Sequence, residues 1–153
     1  MYLDEQRQAR FKTVRLIAYA MLGAAPLIYI VIAYLLSIPA RHGGEQQMML
    51  YILLIVAIVQ PSVVKFIERF QVTGYQKNTQ SQMTPDNLFF TLSIIKFAFV
   101  ETIYIFGLVV YLVSGNLDWM LYFYPVGIGW TLVYWPRQSN YERFLQRLES
   151  GIA

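Results

Sequence analysis

The chain has 153 residues, 57% of them hydrophobic and 14% charged, against about 45–50% and about 25% in an ordinary soluble domain. The formal net charge is +3, with no cysteine and one histidine, His42, which excludes thiol chemistry, disulfides and the usual Cys/His metal clusters. The apolar residues fall into blocks near the about 17–25 residues a helix needs to cross hydrocarbon. The expected fold is therefore an all-α membrane protein, with residues 1–153 forming one four-helix transmembrane domain.

Residues 1–15 hold Arg7, Arg10, Lys12 and Arg15 against Asp4 and Glu5. A solvated basic tail beside the first span explains this pattern more simply than a short interfacial helix. The apolar block that follows is about twice as long as a signal-peptide core, so it is expected to be retained. The first span is expected over about 14–37. Gly23, Ala24, Ala25 and Pro26 near its middle predict a close approach by a neighbouring helix and a kink. A short loop through Pro39, Arg41, His42, Gly43 and Gly44 follows.

The second span is expected over about 48–66. Pro61 frees the carbonyl of Ala57, and Gln60 beside it makes a polar notch, read as a kink with an interhelical hydrogen bond of about 1 kcal/mol. Residues 65–84 are mostly polar and predict a long connecting loop. Thr84, Pro85 and Asp86 then form a helix start: a capping hydroxyl, proline at the first position and an acid at the positive end of the dipole.

The third span, about 88–113, carries Ser93, Lys96, Glu101 and Thr102. A carboxylate near the centre of such a run costs at least about 2–3 kcal/mol unless neutralised, paired or hydrated. Lys96 and Glu101 lie about 140° apart around the helix, so they are not expected to pair within it. Lys96 has a stem long enough to reach towards headgroups; Glu101 does not. Opposite helix directions leave a Gln60–Glu101–Lys96 cluster geometrically open. Ser114, Gly115 and Asn116 make a turn, and a fourth span is expected over about 119–135. Trp119 and Tyr122 at one end and Tyr134 and Trp135 at the other read as aromatic belts, while Pro125, Gly127 and Gly129 weaken its middle. Beyond Pro136, Tyr141, Phe144, Leu145 and Leu148 recur at helical spacing, predicting a short C-terminal interfacial amphipathic helix.

Ten Lys/Arg residues fall in the amino-terminal segment, the second connection and the carboxyl-terminal segment, against Arg41 alone in the first loop. The positive-inside rule then places both termini in the cytoplasm, and a bacterial inner membrane is the expected location. Because membrane orientation accounts for the basic residues, no nucleic-acid partner is expected.

No phosphate-binding loop, nucleophilic triad or paired carboxylates can be composed from these residues, so neither an enzyme nor a cofactor is expected. Two functions stay open. The first is a non-catalytic subunit or scaffold of a membrane complex that packs against other chains or copies of itself. In it Glu101, Lys96 and Gln60 serve as polar glue, and Arg7, Arg10, Lys12, Arg15, Arg137, Arg143 and Arg147 meet partners or anionic lipid. The alternative is a proton- or cation-handling protein, with Glu101 as carrier and Gln60, Lys96, Thr102 and Tyr104 around it.

Residues 83–110 bear on that alternative. Glu101 is preceded by Ala98-Phe99-Val100 and followed at a fixed offset by Ile105-Phe106-Gly107-Leu108-Val109-Val110, and the polar loop upstream ends in Pro85. This stretch resembles the second helix of the proteolipid c subunit of rotary ATP synthases. The resemblance implies that Glu101 matches the carboxylate protonated and deprotonated during ion translocation. The family's glycine-rich first helix has no counterpart in residues 48–66, and Met83-Thr84 replaces the Arg-Gln before the proline.

Overall fold

The computed structural model describes residues 2–41, 43–77 and 84–150, and side chains within them except those of 2–7, 147, 149 and 150. His42, most of the connection between the second and third long helices, and the side chains of Arg7 and Arg147 thus lie outside the described residues. Among the described residues all regular structure is helical: α1 (Tyr2–Tyr19), a π-turn (Ala20–Ala24), α2 (Ala25–Leu36), α3 (Gly44–Lys77), α4 (Pro85–Ser114), α5 (Leu117–Leu121), α6 (Phe123–Val133) and α7 (Gln138–Ser150).

Among the described residues, three stretches are long and apolar enough to cross a membrane: Gln8–Leu36, Gly44–Lys77 and Pro85–Ser114. The fourth segment is divided. Pro125 has no N–H to offer the Leu121 carbonyl four residues back, and its ring crowds that carbonyl; the helix breaks at Tyr122 and resumes at Phe123. Pro26 has the same effect on the first stretch, but there the turn widens. Ala25 N–H reaches the carbonyl of Ala20, and the resulting π-turn carries the chain into α2 without a gap.

Two expectations change at the ends of the long helices. The basic segment at the amino terminus is helix continuous with the first span, because Val14 and Ala18 pack on Phe97; Arg10, Lys12 and Arg15 stay exposed. The polar stretch after Phe66 is not a loop: α3 runs on to Lys77, about 51 Å in all. Burial of Val72 against Leu88, Leu92 and Phe144, with Tyr75 and Phe89 alongside, stabilises those extra turns.

The centre of the molecule is α4, which packs against every other helix. Its start is fixed by Thr84, whose Oγ1 accepts from Asn87 N at 3.3 Å. It ends at Gly115, in the left-handed region at φ +65°, whose N–H donates to Tyr111 O. From α4, Tyr111 also caps α2: its hydroxyl donates to Ala33 O at 2.6 Å and accepts from Ile38 N at 3.1 Å. Around α4, Val100, Tyr104, Tyr111, Met120, Tyr124 and Ala33 form one core, and Ile103, Val110, Phe123, Leu50 and Ala57 a second.

The outer faces of α2 and α3 are apolar. Leu27, Ile28, Val31 and Leu35 on α2, and Ile55, Ile58, Val59 and Phe66 on α3, are all more than half exposed. A surface of this size on consecutive turns is what a hydrocarbon solvent requires. Of the small residues near the middle of the first span, Gly23 and Ala24 face outwards, with open space around Gly23, while Ala25 and Pro26 are buried and Pro26 O accepts from Tyr124 of α6. Glycines admit close approach at Gly107 and Gly127, where α4 meets α5 and α6.

A smaller layer lies beyond Lys96. The first turns of α4, the last turns of α3 and helix α7 share the core of Val72, Leu88, Leu92 and Phe144. Phe89 meets Tyr141 and Phe144 edge-on and tilted, at 5.0 and 5.5 Å between centroids. The apolar face of α7 is therefore covered by α3 and α4. Tyr141 also donates to Asp86, and Arg10 to Asn87.

Candidate functional site

The polar residues of the long helices do not gather into one cluster; each has a separate partner. Tyr29 Oη, from α2, donates to Glu101 Oε1 at 3.2 Å. Gln60 Nε2, from α3, donates to the carbonyl of Phe99 at 2.9 Å, while its Oε1 is buried with no partner among the described residues. Lys96 Nζ forms an ion pair with Glu68 Oε2 of α3 at 2.9 Å. Thr102 turns its hydroxyl back onto Ala98 O of its own helix at 3.0 Å. The open Gln60–Glu101–Lys96 grouping is thus resolved into three separate interhelical contacts, two from α3 and one from α2.

Tyr104 sits among other groups. It is fully buried, its ring lies 5.5 Å from that of Tyr124, and a Cβ on Gly127 would stand 2.5 Å from it. Its hydroxyl lies beside Thr131 without completing a bond. Thr131 gives its own proton to Gly127 O at 2.8 Å, and Tyr124 donates to Pro26 O at 3.1 Å. These hydroxyls satisfy carbonyls near the two prolines' disturbed turns, which is the chemistry of helix packing in a medium without water.

The residues that complete these contacts, Tyr29, Glu68, Tyr124 and Tyr134, were not singled out by the sequence as partners. Lys96 Nζ lies 5.9 Å from the centroid of the Tyr134 ring. Next to Tyr134, Trp135 meets Tyr19 edge-on at 5.0 Å. The Lys96–Glu68 pair therefore sits beside the rings of Tyr134, Trp135 and Tyr19, with both side chains about a quarter exposed. Replacing Lys96 with Met should cost about 1–2 kcal/mol in thermal unfolding in detergent, since Glu68 loses its counter-ion at a largely shielded site. The double change Lys96→Met with Glu68→Met should recover most of that loss.

Of the basic residues expected at the surface, Arg10, Lys12, Arg15, Arg137 and Arg143 are exposed on the side of the molecule that holds α7. Among the described residues no three metal-ligating side chains come together. What fold and contacts define is an all-helical protein with three membrane-length apolar helices joined by polar side chains. Comparison of the chain with family models, curated proteins and solved structures finds no match.

Proposed function

We propose that the chain is an integral membrane protein of four crossings, acting as a non-catalytic subunit or scaffold of a membrane complex. The observation that carries this reading is that Glu101, Gln60 and Lys96 each bond to a different part of the same chain's helix packing. Polar groups used in this way hold helices in register.

The bilayer placement follows from the belt. Counted from the level of Tyr19, Glu68, Lys96 and Trp135 to the opposite turns at Ser37, Met49, Ser114 and Leu117, each segment has about 19 residues, or about 28 Å of helix, close to the about 30 Å of hydrocarbon. The α5–α6 pair is then the fourth crossing, and α7 lies below it at the inner surface. Glu101 stands five residues, or about 7–8 Å, inside the inner boundary. The charge bias of the connections supports cytoplasmic termini and a bacterial inner membrane. The exposed faces of α2 and α3 are available to lipid, to another membrane chain or to a second copy.

A second reading, reversible protonation of Glu101 during proton or cation movement, is favoured by one observation. The partner of Glu101 is a neutral hydroxyl rather than a cation, as a translocating carboxylate of the proteolipid type would also require.

The scaffold reading is tested by a double-mutant cycle of Tyr29→Phe and Glu101→Gln, read by thermal unfolding in detergent. The expected coupling is about 0.5–1.5 kcal/mol; additive effects would remove the structural role of the contact. A reporter fused after Ala153 should be active on the cytoplasmic side only.

A further inference from the structure

Where the belt meets the inner layer, the helices leave a cavity of about 190 Å³. Its polar lining comes from Glu68, Ser93, Lys96, Tyr134, Asn140 and Arg143, with Trp135 at the belt; the Ser93 hydroxyl already donates to Phe89 O at 2.8 Å.

The lining has more donors than acceptors. Lys96 Nζ carries three N–H bonds and directs one at Glu68. Arg143 uses Nε on Ser139 O at 3.2 Å and Nη2 on Asn140 Oδ1 at 2.7 Å, which leaves three of its five N–H groups. Tyr134 Oη is buried and has no partner among the described residues. An ammonium, a guanidinium fork and a phenol come from three helical segments, an arrangement suited to the several oxygens of a tetrahedral anion.

The charge is also limited. Two cations and one carboxylate leave a single positive charge, which balances a phosphodiester better than a phosphate monoester or a polyphosphate. The cavity is not closed off from the apolar surface either. Val133 is one of its walls, and both Val133 and Leu132 are more than half exposed on the outer side of α6. That gives a route for chains attached to the anion.

We propose that this cavity binds the phosphodiester of a net-anionic inner-leaflet phospholipid, one whose headgroup adds no cation to the positive site, with Arg143, Lys96 and Tyr134 on the phosphate and the acyl chains along α6. The proposal rests on the bilayer placement above. Basic recesses between helices at the cytoplasmic boundary are a known setting for lipid headgroups.

The test uses the full chain purified in a neutral detergent. It is titrated separately with dihexanoyl phosphatidylglycerol, dihexanoyl phosphatidylcholine and inorganic phosphate, with bound lipid counted by native mass spectrometry and melting temperature followed in parallel. Phosphatidylglycerol is expected to bind saturably, one per chain, about tenfold tighter than phosphatidylcholine, and Arg143→Gln to weaken it about tenfold. Tyr134→Phe, which keeps all charges, should weaken it about threefold. Lys77→Gln, an exposed cation at the inner end of α3 that does not line the cavity, should leave affinity unchanged.

Absence of saturable binding would overturn the proposal, as would equal losses in Arg143→Gln and Lys77→Gln, which signal diffuse attraction. Inorganic phosphate binding as tightly as the lipid would overturn the assignment to a lipid. The terminal reporter separates the two readings: a cytoplasmic reporter with no lipid selectivity overturns this inference alone, and an external one overturns the bilayer placement.

Discussion

Gly127→Val should destabilise the protein by about 3 kcal/mol, read as a lowered melting temperature and a lower yield of folded protein in detergent. The new Cβ would stand 2.5 Å from the ring of Tyr104, which is fully buried between α4 and α6 and has no open side to turn into. The ring also packs on Tyr124, whose hydroxyl holds the carbonyl of Pro26. Moving it therefore disturbs the contact between α6 and α2 as well as that with α4. Gly129 provides the internal control. It lies two residues on in the same helix with nothing within 4 Å of its Cβ, so Gly129→Val should change stability by no more than about 0.5 kcal/mol.

The second large effect is expected at the carboxyl-terminal end of α4. Gly115 has φ +65° and its Cα faces the carbonyls of Ile38 and Pro39. An alanine there meets the left-handed penalty of about 1–2 kcal/mol and a backbone oxygen that cannot rotate away. The chain would have to part where Arg41 N donates to Ser114 O at 2.6 Å and where Tyr111 caps α2. Gly115→Ala should cost about 2–3 kcal/mol in the same unfolding measurement. Gly44→Ala, with open space around it, should be neutral within about 0.5 kcal/mol.

Both positions show what could be read in advance. Gly115 after Ser114 and Thr84 before Pro85 mark the ends of α4 because their roles are local: a left-handed stop and a hydroxyl cap. The long apolar helices were legible for the same reason, from run length. Gly127 was legible only as a weak point of a helix; that it admits a tyrosine ring depends on which face of α6 meets α4, which no local pattern states.

The extension of α3 to Lys77 did leave a signal. Val64, Glu68, Val72 and Tyr75 fall at i, i+4, i+8 and i+11, a helical stripe diluted by the polar residues between them. With that stretch read as a loop, Glu68 could not be recognised as the partner of Lys96. Gln60 was placed at a notch, but its partner is the Phe99 carbonyl, and backbone acceptors leave no trace in side-chain patterns. Tyr29 lies 72 residues from Glu101, so their meeting depends on the rotation of two helices past the π-turn. Gly23 and Ala24 promised a packing face, and the same π-turn sets them outwards.

The most direct test of the central claim, that Glu101 holds helices rather than carries ions, is proton and sodium flux into liposomes containing the purified chain, compared with its Glu101→Gln variant. No flux above that of protein-free vesicles is expected for either protein. Flux in the parent that Glu101→Gln abolishes, with unchanged melting temperature, would contradict it.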